Sequence, residues 1–168
     1  MSGAVFMDAE HKCGIAAVTI SDSLKNHPLG GASYYLHKLL LQQQNRGQLS
    51  AGITTYNGAR PELLYTYKEL GSVSKVFRMH HRAKYESIIK RCNGTRGIGH
   101  VRYATCGVED VKNAQPFERR HGRKWKWLSF AFNGNIANFT ELKKELNDNG
   151  YHLVMNSDTE AIMHYVAK

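Results

Sequence analysis

Residues 13–20 read Cys13-Gly14-Ile15-Ala16-Ala17-Val18-Thr19-Ile20, an apolar, partly β-branched run closed by Ser21, Asp22 and Ser23. That composition and its polar stop predict a buried strand ending in a turn. Downstream the period changes. Across residues 31–46, Tyr35, Leu36, Leu39, Leu40 and Gln43 recur at helical spacing, and Gly47 stands where a C-terminal cap falls. Strand character returns over 51–56, Asn57-Gly58 supplies a turn pair, and 63–67 reads as the returning partner. A short helix over 84–91 precedes strands over 97–103 and 126–132. Asn138 with Glu141, and Ser157 with Glu160, have the spacing of capping boxes that open two further helices. On the last of these, Ile162, Tyr165 and Val166 share a face. Strands joined by hairpins, with helices interspersed, predict a mixed α+β domain on a largely antiparallel sheet.

Composition narrows the function classes. The chain's 168 residues suffice for one domain with a single core. Its three cysteines, Cys13, Cys92 and Cys106, are odd in number and lack Cys-x-x-Cys spacing, which argues against a disulfide framework and a structural zinc site. The nine histidines fit no metal-site spacing, so neither metal nor other cofactor is expected. A net charge of +9 suits nucleic acid, an anionic membrane or phosphorylated partners, but a solvated basic surface explains it as well. The densest stretch, residues 119–127, interleaves Arg119, Arg120, Arg123, Lys124 and Lys126 with Trp125 and Trp127. It reads equally as a nucleic-acid patch or as a basic hairpin tip. No run is long enough to span a bilayer, and Ala4-Val5-Phe6-Met7 is too short for an export signal, so a cytoplasmic, reducing setting is expected. Without an export signal, the acceptor tripeptides at Asn93 and Asn138 are read as chance.

Five short motifs raise the reading above fold class. They are Cys13-Gly14-Ile15, Asn45-Arg46-Gly47-Gln48-Leu49-Ser50-Ala51-Gly52-Ile53, Gly99-His100-Val101-Arg102-Tyr103-Ala104-Thr105, Phe132-Asn133-Gly134-Asn135-Ile136 and Ser157-Asp158-Thr159-Glu160. In this order they resemble the glutaminase domain of class II glutamine amidotransferases, the N-terminal-nucleophile type. With Ala114-Gln115-Pro116-Phe117 added, the resemblance is strongest to the amidophosphoribosyltransferase branch, where the products feed purine biosynthesis.

The resemblance implies an αββα four-layer sandwich of mostly antiparallel sheets, and a site that hydrolyses L-glutamine to glutamate and ammonia. Cys13 is the implied nucleophile, working as thiolate. Its own α-amine is the implied base, with an unperturbed pKa of roughly 7.7–8.0 suited to proton exchange near neutrality. That role needs Cys13 at the start of the mature chain, so residues 1–12 are expected to be a cleaved leader and 13–168 the glutaminase domain. Asn133 and Gly134 match the oxyanion hole. Arg102 matches the guanidinium that grips the α-carboxylate, Thr105 adds a hydroxyl there, and Asp158 matches the carboxylate that holds the α-ammonium. Arg46 and Gly47 shape the floor beside the nucleophile without a catalytic role.

Two positions depart from the family pattern: Leu49, where an acidic residue is common, and Cys106 after Thr105. Family domains continue beyond the Asp158 motif, so the domain is expected to be incomplete at its C-terminus. The ammonia acceptor is then another domain or subunit, and a homo-oligomer is compatible with the reading. Two other classes stay open at this point. One is a non-catalytic glutamine-binding remnant that keeps its leader, and the other is a small basic nucleic-acid-binding protein using residues 119–127.

Overall fold

The computed structural model describes residues 13–21, 31–103, 110–134, 136–153 and 157–166. Residues 1–12, Thr105, Cys106 and Asn135 lie outside the described residues. Strands β1 (Gly14–Thr19), β2 (Ser50–Tyr56), β3 (Leu64–Leu70) and β4 (Arg96–Arg102) form one antiparallel sheet in the order β1-β4-β2-β3. β5 (Phe117–Arg119) and β6 (Leu128–Phe130) form a separate antiparallel hairpin. The helices are α1 (Gly31–Gln42), α2 (Val73–Val76), α3 (Arg82–Arg91), α4 (Phe139–Asp148) and α5 (Asp158–Val166). None of them, among the described residues, is long and apolar enough to cross a membrane.

Alternation along the strands sets the layers. Ala51 and Ile53 of β2 and Val101 of β4 point to one face, where they meet Leu36 and Leu40 of α1, Val73, Val76, Phe77 and Ile89. These side chains are fully or almost fully buried and make up the core. Burying each of the valine, leucine, isoleucine and phenylalanine side chains is worth roughly 1.5–3 kcal/mol, which is why 31–42 holds as a helix against the sheet. Thr54 and Thr66 point to the opposite face, where Thr66 donates to Glu118 of β5. The β5–β6 hairpin therefore covers β2 and β3 from that side. On the same face β1 leaves Ile15, Ala17 and Thr19 exposed.

The expected strands and helices are present, with three corrections. Gly47 ends a short 3-10 turn in extended conformation (φ −174°), so it is not a left-handed cap. The backbone of Arg102 passes so close that an added Cβ would lie 2.4 Å from its carbonyl carbon, and this approach is what needs glycine. Asn138 precedes α4 but makes no side-chain cap, whereas Ser157 Oγ does accept from Glu160 N at 3.3 Å. α5 buries Thr159, Glu160 and Ala161, not the anticipated face, and Tyr165 and Val166 are exposed. The basic stretch connects β5 to β6, as a hairpin tip would, with Arg120 over the Trp127 ring and Trp125 in solvent.

Two core histidines make stability pH-dependent. His37 lies between Met79 Sδ (3.4 Å) and the Tyr85 hydroxyl (3.2 Å), and burial, then the charge of Lys38, pushes it down to about 4. His100 on β4 is fully buried, and burial, then Arg102, pushes it down to about 4 as well. Both rings stay neutral when folded but titrate near 6.5 in the unfolded chain. Their contribution is therefore present above 6.5 and is lost as the pH falls towards 4. The expected slope is about 1.4 kcal/mol per pH unit for each histidine. Urea midpoints measured across that window should fall, and less steeply in His37→Gln. A flat profile for the parent protein would contradict the assignment.

Candidate active site

β1 begins beside the end of β4, since Gly14 pairs with Val101. This register brings Cys13, half-buried and one residue before the strand, against Tyr103, which follows Arg102. The backbone N–H of Tyr103 donates to Cys13 Sγ at 3.4 Å. From the other side Asn133 Nδ2 donates to the Cys13 carbonyl at 2.8 Å, and Arg46 Nε approaches the same oxygen at 3.5 Å. Residues from four of the five sequence motifs thus meet around one cysteine. Cys92 is the contrasting case: it is fully buried behind α3, and burial pushes its thiol up to about 12, which keeps it protonated and inert.

The remaining predicted residues are tied to this centre through backbone. Leu49 N donates to Arg102 O at 3.0 Å, joining the 45–53 motif to β4. Arg102 is half-buried, and its Nη1 donates to Asn113 O at 3.1 Å. Asp158, in the first turn of α5, accepts from Ile136 N at 2.8 Å through Oδ2, so it grips the chain two residues past Gly134. A carboxylate is favoured there by the helix dipole as well. Gly134 is exposed and follows Asn133 directly, next to the ring of Phe132. Thr105 lies outside the described residues.

Sequence reasoning missed the residues that join these parts. The Tyr103 amide on the sulfur is a backbone donor and leaves no trace in residue type. Gln115 has a buried side chain whose partner, Phe132, is seventeen residues away. Its only sequence signal was membership of the Ala114–Phe117 motif. Among the described residues, no three of His, Cys, Asp or Glu are grouped as metal ligands.

The antiparallel α+β domain, with a cysteine at the lip of its first strand flanked by an asparagine amide and a backbone N–H, has the fold of the N-terminal-nucleophile type. Comparison with known proteins narrows it. The glutamine amidotransferase domain family matches residues 63–168. An amidophosphoribosyltransferase of Methanothermobacter thermautotrophicus is 33% identical over 163 residues, which is 96% of this chain and 30% of that protein. The Bacillus subtilis amidophosphoribosyltransferase is 36% identical over 80% of this chain and 25% of its own length. The B. subtilis glutamine phosphoribosylpyrophosphate amidotransferase, solved with ADP and GMP, superposes with a TM-score of 0.67 at 29% identity. That match covers 94% of this chain and 29% of the solved one. The chain belongs to the glutamine amidotransferase domain family, and it spans less than a third of the length of these relatives.

Proposed function

We propose that residues 13–168 hydrolyse L-glutamine to glutamate and ammonia, with Cys13 as nucleophile after removal of residues 1–12, and deliver the ammonia to an acceptor domain or subunit. The observation that carries the reading is the convergence on Cys13, where Tyr103 N lies 3.4 Å from the sulfur and Asn133 Nδ2 lies 2.8 Å from the carbonyl oxygen. The α-amine freed by cleavage takes the thiol proton, and the thiolate attacks the side-chain amide carbon. Asn133 Nδ2 and the Gly134 N–H stabilise the tetrahedral oxyanion. Collapse breaks the C–N bond as the ammonium returns its proton to departing ammonia, leaving a thioester on Sγ. Water, losing a proton to the same amine, hydrolyses the thioester and releases glutamate. Arg102 and Thr105 bind the α-carboxylate, and Asp158 binds the α-ammonium. A thiolate route suits a reducing, cytoplasmic setting. The similarity to amidophosphoribosyltransferases supports a phosphoribosyl acceptor reaction in purine synthesis.

The test is release of glutamate from L-glutamine, with the site mapped by a thiol-alkylating glutamine analogue. Modification is expected at Cys13, and label at Cys92 or Cys106 instead would refute the nucleophile. Arg102→Lys tests the clamp. Losing the two-pronged donor should raise the KM for glutamine about tenfold to a hundredfold, with a smaller change in kcat. An unchanged KM would remove Arg102 from substrate binding.

A further inference from the structure

The β5–β6 ladder pairs Phe117 with Phe130, and β6 ends there. Continued by two residues, the same register sets Gln115 opposite Phe132, but Pro116 stands between and has no N–H to pair. The Gln115 side chain takes over where the backbone stops. Its Nε2 donates to Phe132 O at 3.1 Å, and Phe132 N donates to its Oε1 at 2.7 Å. Both peptide planes flanking Phe132 are thereby fixed, and the second of them carries the N–H of Asn133.

The segment bearing Gln115 is itself bolted to the main sheet. Arg102 holds Asn113 O, and Lys68 Nζ holds Ala114 O and Pro116 O. Gln115 O rests on Gly52 of β2, where an added Cβ would stand 2.4 Å away. Any side chain at position 52 would lift the segment. Residues 113–116 thus run from the guanidinium assigned to the substrate carboxylate to the segment carrying the oxyanion donors.

We infer that Gln115 is a positioning residue for glutamine hydrolysis, its side-chain amide setting the 132–134 segment so that Asn133 and Gly134 stand at the oxyanion beside Cys13. The inference rests on the glutaminase reading above. A misplacement of about an ångström at such a site costs on the order of a hundredfold. Gln115→Met keeps the side chain's length without its hydrogen bonds. In the full protein with Cys13 at its N-terminus, it should lower kcat about tenfold to a hundredfold, with the KM for glutamine within about threefold. Alkylation of Cys13 by iodoacetamide, which forms no oxyanion, should keep the parental rate. In the parent, amide exchange at Phe132 should be slow although the residue lies outside any strand.

Parental kcat in Gln115→Met, with the parent active, overturns this inference alone. Fast exchange at Phe132 does the same even if the variant fails to fold. Equal losses in turnover and alkylation would make Gln115 a packing residue and also overturn it. A parent that releases no glutamate overturns the glutaminase reading and the inference together.

Discussion

Cys13→Ala is expected to abolish the proposed glutamine hydrolysis, with a loss on the order of 10⁶ in kcat, the scale seen when a hydrolase loses its covalent nucleophile. The fold survives, because the described contacts that seat this residue are made largely by its backbone. Asn133 and Arg46 both address the Cys13 carbonyl, which alanine retains, and Cys13 is only half-buried. Glutamine binding should persist as well, since Arg102 and Asp158 are held by Asn113 and Ile136 and not by the thiol. Glutamate assays together with calorimetric glutamine binding separate the two effects. Residual turnover near the parental rate would transfer the chemistry to another group.

Asn133→Ala has the second-largest expected effect, a fall of about 10²–10³ in kcat at nearly constant KM. The reason is differential. The Asn133 amide is worth most when negative charge develops on the substrate oxygen, and it adds little to the bound amide itself. In this structure Asn133 Nδ2 spends its donor on the Cys13 carbonyl at 2.8 Å, so the group is already within reach of the reacting residue. The neighbouring backbone, held by Gln115 at Phe132 and by Asp158 at Ile136, keeps its course when the side chain is cut back. Single-turnover kinetics isolates the acylation step. A loss below tenfold would remove Asn133 from the oxyanion hole.

Much of the fold was legible in the sequence because its elements are long relative to their period. The run from Cys13 to Ile20, the leucines at 36 and 40, and the hairpin around Asn57 each carry several repeats of one pattern. α2 and β5 were not legible, since four residues and three residues complete barely one repeat. The apolar face of α5 misled because Ile162, Tyr165 and Val166 do satisfy helical spacing, while the described neighbours bury Thr159 and Ala161 instead. Gly47 looked like a cap from its place after a helix, whereas its role comes from Arg102, fifty-five residues away. The candidate site shows the same division. The side chains proposed to meet substrate are marked by type and motif. Donors supplied by backbone, such as Tyr103 N, and amides that bind backbone, such as Gln115, become visible only once the register of β1, β4 and the β5–β6 hairpin is known.

Glutamine hydrolysis at Cys13 is proposed to use that residue's own α-amine as the base. The most direct test compares glutamate release by two forms of the protein, one starting at Met1 and one starting at Cys13. Turnover is expected only when Cys13 is the first residue, with the Met1 form silent until residues 1–12 are removed. Equal turnover by a Met1 form whose intact mass shows the leader still attached, or none by the form beginning at Cys13, would contradict it.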